Sequence, residues 1–321
     1  MDIIPFVMQQ TFFFMIPLLV VALGGMFSER SGIVNIALEG KMLMGAFTGV
    51  FFINRIQESS IALEGNTLFL VALLIAAGTG VLVSLLHAFA AINLNANQII
   101  SGVAINMFAP AFAIYTARVI SGQTQQVFFI NQFRIESVPV LGSIPVIGPL
   151  FFQNAYITTY LGLLILFVSA FVLYKTKFGL RLRACGEHPQ AADSVGINVY
   201  RVRYAGVLIS GALAGMGGLI LIIPTAVAFN ATVDGYGFLA LAVLIFGAWR
   251  PMRILFAAFF FGLLQAVAAG HSGIAFLRDL AIPIHFYWMM PYVATLVVLA
   301  FTSRRSQAPK AAGTPYDKGK R

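Results

Sequence analysis

The sequence predicts an all-α, polytopic integral membrane protein with about eight to ten membrane-spanning helices, broken or half helices among them. Three observations carry that prediction. Of 321 residues, 60% are hydrophobic and 10% are charged, whereas a soluble domain carries about 25% charged residues. A soluble fold of this size needs a charged surface that the chain cannot supply. Apolar runs recur along the chain at lengths near the roughly 20 residues that a bilayer core of about 30 Å requires. The basic residues, which give a net charge of +9, gather in clusters beside those runs, the pattern of positive-inside topology signals.

Nine apolar runs qualify: 6–26, 33–53, 67–90, 98–119, 155–174, 202–228, 237–249, 254–270 and 286–302. The first run reads as a retained helix, because Asp2 stands where a secretory signal carries basic residues and the run is too long for one. Residues 93–98, rich in amides, read as a turn and a helix start. The stretch 120–154, with Pro139, Pro145 and Pro149, is too irregular to cross lipid, where every backbone group needs an internal partner. Lys175, Lys177, Arg181, Arg183, Arg201 and Arg203 form one basic cluster, and Arg304, Arg305, Lys310, Lys318, Lys320 and Arg321 another. Placing both clusters in the cytoplasm gives nine crossings with the N-terminus outside and the C-terminus inside. In 202–228, Gly206, Ser210, Ala214 and Gly218 recur every fourth residue, as do Gly211 and Gly215. Such rows let helices approach closely in lipid, either as a moving interface or as static packing. The run 237–249 is short for a span and reads as a half-helix or as a crossing continued by its flanks. Residues 1–302 form one transmembrane domain, and the polar tail 303–321, with Pro309 and Pro315, reads as disordered.

No P-loop, H-E-x-x-H or G-x-S-x-G signature is present, so no catalytic residue is assigned. Four scattered histidines and one cysteine supply no metal-ligand spacing. No cofactor is expected. The basic clusters lack the aromatic interleaving and motifs of nucleic-acid binding. Two Gly-flanked segments stand out instead, since Gly-interrupted apolar segments point to transport sites. One is 29–41, where Ser31, Asn35 and Glu39 are spaced by four and share a face if that stretch is helical. A carboxylate in a span needs a partner, and Arg30 and Lys41 are the nearest cations in sequence. The other is 234–242, containing Tyr236. Asn106 lies within the fourth run. Amides hydrogen-bond a neutral polar solute without burying a charge, so Asn35, Glu39 and Asn106 are candidates for a solute path, with the rings of Phe108 and Tyr236 beside them. Between the spans, Pro189 suits a helix start and Gly196 its end, giving a two-turn helix flanked by cations.

Four stretches carry a resemblance: 27–45 (FSERSGIVNIALEGKMLMG), 97–106 (NQIISGVAIN), 179–196 (GLRLRACGEHPQAADSVG) and 235–251 (GYGFLALAVLIFGAWRP). Together they resemble the permease subunits of bacterial ABC importers in the branched-chain amino acid and simple-sugar superfamily, most of all the nucleoside-importing branch paired with basic-membrane-protein-type lipoproteins. The resemblance implies a permease in the cytoplasmic (inner) membrane, moving a nucleoside-like solute inward by alternating access. Its implied partners are a separate ATP-binding-cassette ATPase, a second, related permease chain, an extracytoplasmic substrate-binding lipoprotein and the lipid bilayer. It implies that Arg181, Arg183, Gly186, Glu187, Pro189, Ala191, Ala192 and Gly196 form the ATPase-docking loop. Simple-sugar or branched-chain amino acid import remains open at this point. So does an ion-coupled transporter with Glu39 as its proton carrier.

Overall fold

A helix occupies most of each of the nine apolar runs, but two of the helices begin in the interior of the bundle rather than at its surface. The computed structural model describes residues 3–59, 61–121, 126–145, 147–273, 282–302 and 308–318. The helices are α1 (Ile3–Arg30), α2 (Leu38–Gln57), α3 (Gly65–Ala88, continued by a π turn at Phe89–Asn93), α4 (Gln98–Ser121), α5 (Ile157–Lys175), α6 (Lys177–Glu187), α7 (Pro189–Ser194), α8 (Val199–Thr225), α9 (Tyr236–Phe246), α10 (Pro251–Gly270) and α11 (Ile284–Thr302). Short strands β1 (Val127–Phe128) and β4 (Ala228–Phe229) pair antiparallel, as do β2 (Arg134–Ser137) and β3 (Gln153–Tyr156). The strands mark one end of the bundle. The other, basic end carries α6 and α7.

Among the described residues, six helices are long and apolar enough to cross a membrane: Ile4–Arg30, Gly65–Asn93, Gln98–Ile120, Ile157–Lys175, Val199–Thr225 and Pro251–Gly270. Helix α2, which carries Glu39, Lys41 and Arg55, is not one of them. Helix α9 has 11 residues, about 16 Å at 1.5 Å per residue, roughly half of a bilayer core.

Helix α1 is the axis of the bundle. It packs on α5, α8, α9 and α10, and 94% of its most apolar stretch lies inside the protein, against 22% for α4. An all-round apolar helix belongs in that central place. Helix α8 joins α1 to α2 and α3 through its small residues. A Cβ at Gly206 would strike the Phe27 carbonyl and Ser31. One at Gly211 or Gly215 would strike the backbone of Gly80 or Ala76, and one at Gly218 the Met42 carbonyl. Backbone lies on backbone along this seam, so the row is a site of close packing.

Residues 308–318 of the tail, read from composition as disordered, lie against the basic end instead. The Ala311 N–H donates to the Gly186 carbonyl (2.8 Å), the Gly313 N–H to the Gly32 carbonyl (3.2 Å), and Arg203 Nη1 to the Thr314 carbonyl (3.3 Å). The Tyr316 ring is buried, edge-on to Tyr200 and beneath the Arg203 guanidinium. Long-range partners of this kind are invisible to a composition argument. Residues 303–307 and 319–321 of that tail lie outside the described residues.

Candidate functional site

The two Gly-flanked segments meet. Helix α1 stops at Arg30, the chain turns at Gly32 with φ +96°, and residues 31–37 are not helical until α2 starts at Leu38. The expectation that Ser31, Asn35 and Glu39 share a helix face therefore fails. Lipid offers no partners for such a break, and side chains from neighbouring helices supply them. Gln98 Oε1 accepts from the Val34 N–H (2.8 Å), and the His87 ring contacts the Val34 carbonyl and Ser101 Oγ. Asn106 Nδ2 donates to the Ile36 carbonyl (2.9 Å) while its Oδ1 accepts from the Gly40 N–H (2.8 Å). Asn35 Nδ2 donates to Ser210 Oγ (2.7 Å), and Lys41 Nζ donates to Asn35 Oδ1 (2.7 Å).

Beyond the far end of the break from Arg30, Glu39 caps α9. Its Oε1 accepts from the Gly235 N–H (2.9 Å) and its Oε2 from the Gly237 N–H (2.6 Å). These are free donors of a helix N-terminus, where an anion is favoured. Gly235 holds φ +79°, and a Cβ at Gly237 would strike the Glu39 backbone, which accounts for the Gly-Tyr-Gly sequence. At the far end of α9, Arg30 Nη2 donates to the Trp249 carbonyl (3.2 Å), and Trp249 Nε1 donates to Glu29 Oε2 (2.6 Å). The segment 29–39 thus clasps the short helix at both ends, with an anion at its N-terminus and a cation at its C-terminus.

A cavity of about 550 Å³ lies on the strand side of this junction, between α1, α8, α10, α11 and the segment before α9. That size is usual for a small-molecule site. Phe14, Trp288 and Tyr292 give it aromatic walls, and Gln10, Asn230 and Thr232 give it amides and a hydroxyl. Two of its buried polar atoms, Tyr236 Oη and Gln265 Oε1, make no hydrogen bond. Buried polar groups are nearly always paired, so these two stand out on residues that line the cavity.

Of the residues picked from sequence for the solute path, Tyr236 lines this cavity. Asn35, Glu39 and Asn106 come together, but their side chains are committed to the broken segment and to α9. Phe108 lies apart, 53% exposed on α4 with its ring against Phe112. Sequence reasoning missed Gln10 and Gln265. The available signal was that each is a polar amide in or beside an apolar run, the same signal that picked out Asn106.

The loop at the basic end folds as two short helices. Thr176 Oγ1 accepts from the Gly179 N–H (3.1 Å) and starts α6; His188 Nδ1 accepts from the Ala191 N–H (3.3 Å) and starts α7, with Pro189 at its first position. Arg181, Glu187, Ala191 and Gly196 are exposed, Arg183 lies over the Tyr174 ring at 5.5 Å, and Gly186, Pro189 and Ala192 are buried within the chain. Cys185 is buried too, and burial pushes its thiol up to about 11.

The family model described as "Branched-chain amino acid transport system / permease component" matches residues 7–300. The chain is 44% identical to the guanosine ABC transporter permease protein NupQ of Bacillus subtilis, over 100% of this chain and 99% of that one. It is 41% identical to the nucleoside ABC transporter permease protein NupC of Lactococcus lactis, over 95% and 94% respectively. A putative glucose ABC transporter permease protein of Haloferax volcanii, TsgC13, is 31% identical over 92% and 91%. No solved structure matches.

Proposed function

We propose, from the premise that this chain belongs to the family of branched-chain amino acid transport system permease components, that it is the membrane-spanning subunit of an ATP-driven nucleoside importer. The observation that carries the solute reading is the cavity with unpartnered Tyr236 Oη and Gln265 Oε1 between aromatic walls. A nucleoside has a flat π face for Phe14, Trp288 or Tyr292 and a polar edge and hydroxyls for the amides. The full-length relatives named for guanosine and nucleosides, at 44% and 41% identity, support the same solute class. ATP hydrolysis belongs to a separate ATPase subunit that docks on the exposed residues of α6 and α7. A second permease chain completes the membrane unit, and a lipoprotein delivers solute at the strand end. The whole sits in the cytoplasmic membrane, with the basic end inside and the N-terminus outside, as the positive-inside rule requires.

In the assembled transporter, Gln265→Leu and Tyr236→Phe are each expected to lower guanosine uptake about five- to tenfold while leaving assembly intact. That is the effect of one lost hydrogen bond worth about 1–1.5 kcal/mol. Uptake of guanosine at the unaltered rate in both variants refutes the cavity as the solute site. Competition by glucose but not by nucleosides turns the reading to sugars. For orientation, Gln190→Cys in a Cys185→Ser background should react with an impermeant maleimide only after the cytoplasmic face is opened. Labelling of intact cells reverses the topology.

A further inference from the structure

We infer that Arg30 is the positioning residue through which movement of the docking helices reaches the solute cavity. The inference rests on the transport reading and deepens it. One guanidinium is shared between two elements that otherwise lie apart in sequence. Its Nη1 stands 3.7 Å from Glu187 Oε1, on the last residue of α6. Its Nη2 and Nε point at the Trp249 carbonyl, at 3.2 Å and 3.4 Å, just beyond α9. Arg30 itself closes α1, the buried axis of the bundle, so its backbone is the fixed point and its side chain the adjustable link.

Each side of that link is built to move. Glu187 is separated from α7 by His188 alone, so a push on α7 displaces the carboxylate. The ion pair is weak by its geometry and exposure, with the Glu187 side chain 47% exposed, and such pairs rearrange at little cost. On the other side, Ala248 and Trp249 hold φ of +49° and +54°. Two successive non-glycine residues in the left-handed region store strain at the joint between α9 and α10, and the bond from Arg30 to the Trp249 carbonyl helps hold them there. Release of that bond loosens the joint, which stays tethered by the Trp249 indole on Glu29 Oε2. Helix α9 then carries the displacement along its length as a rigid rod of about 16 Å. At its other end lie Gly235 and Tyr236, held by Glu39, and Tyr236 lines the cavity. The route Glu187, Arg30, Trp249 carbonyl, α9, Tyr236 is continuous, and each step is a named contact.

The test uses the assembled transporter with its ATPase, in a Cys185→Ser background. Thr232→Cys, at the exposed rim of the cavity, reports opening through its rate of maleimide modification. Trapping the ATPase with vanadate and nucleotide is expected to change that rate at least about fivefold. In Arg30→Gln and in Glu187→Gln the change should fall below about twofold, and the double variant should be no worse than either single one, because both act on one link. Glu187 is exposed, so its neutral replacement cannot fail merely by misfolding. Either single variant keeping the full nucleotide-dependent change overturns the inference. So do additive losses in the double variant, or a parental protein whose rate does not respond to nucleotide. Nucleotide-dependent modification without guanosine uptake overturns the solute reading alone and leaves the relay standing.

Discussion

Gly218→Leu is expected to leave no assembled protein in the membrane. The Cβ alone would strike the Met42 carbonyl, with the Met42 Cα behind it. A flexible side chain can rotate away from an intruding methyl, but a backbone carbonyl inside α2 cannot. Overpacking a core typically costs about 1–3 kcal/mol when side chains can adjust. Here the seam between α2 and α8 must part, and the neighbouring contacts of Gly211 and Gly215 with α3 part with it. Gly78→Ala on α3 is the control, because nothing lies within 4 Å of its added Cβ. That change should be neutral or stabilising by up to about 1 kcal/mol, the helix preference of alanine over glycine. Size-exclusion profiles and melting temperatures in detergent measure both. A Gly218→Leu protein that is monodisperse and melts like the parent contradicts the packing described for α8.

Glu39→Ala is the second large effect. It strips the N–H groups of Gly235 and Gly237 of their acceptor and removes the anion from the N-terminus of α9. Each buried donor left unsatisfied costs about 1–3 kcal/mol, and the lost charge–dipole term adds about 0.3–2 kcal/mol. Glu39 is half-buried, so the lower part of these ranges applies. Transport is expected to fall at least about tenfold, with α9 loosened and Tyr236 displaced. Glu39→Gln is the sharper probe. Its amide keeps one acceptor oxygen but turns an NH₂ group toward the second N–H, donor against donor, so it should transport poorly although its shape is nearly that of glutamate. A Glu39→Gln protein with the parental uptake rate removes the clasp from the mechanism. Parental uptake that rises as the pH falls, with that pH dependence lost in Glu39→Gln, would instead favour proton coupling.

The helices were legible in the sequence because lipid demands long apolar runs, and a helix occupies most of each of the nine runs. The breaks were legible only in part. Charge and glycine at 29–41 and 234–242 marked both segments as unusual. The start of α2 at Leu38 was hidden, because what holds 31–37 out of a helix is Gln98, His87, Asn106 and Ser210, brought from three other helices. The same reason governs the site. Asn35, Glu39 and Asn106 stood out as polar groups in apolar surroundings and do converge, yet their partners make them a clasp. Gln10, Tyr236 and Gln265 gain their meaning only from the cavity that α1, α8, α10 and α11 enclose. In the loop 176–196, the limits of α7 followed from proline and glycine. Which of its residues face outward did not, since Ala192 is buried and Ala191 exposed by the way α6 and α7 pack on α8 and the tail.

The burial of Cys185 has a consequence in redox chemistry. It is the chain's only cysteine, it lies within the packed base of α6, and its thiol is held up at about 11. Oxidants and disulfides react with thiolates, and at neutral pH this group is almost wholly protonated and shielded. The folded protein therefore presents no sulfur for sulfenic acid formation, glutathionylation or a disulfide between two copies. Oxidants that disable thiol-bearing neighbours leave this thiol untouched until α6 lifts from its base, and modification of the single cysteine then records that this end of the chain has opened.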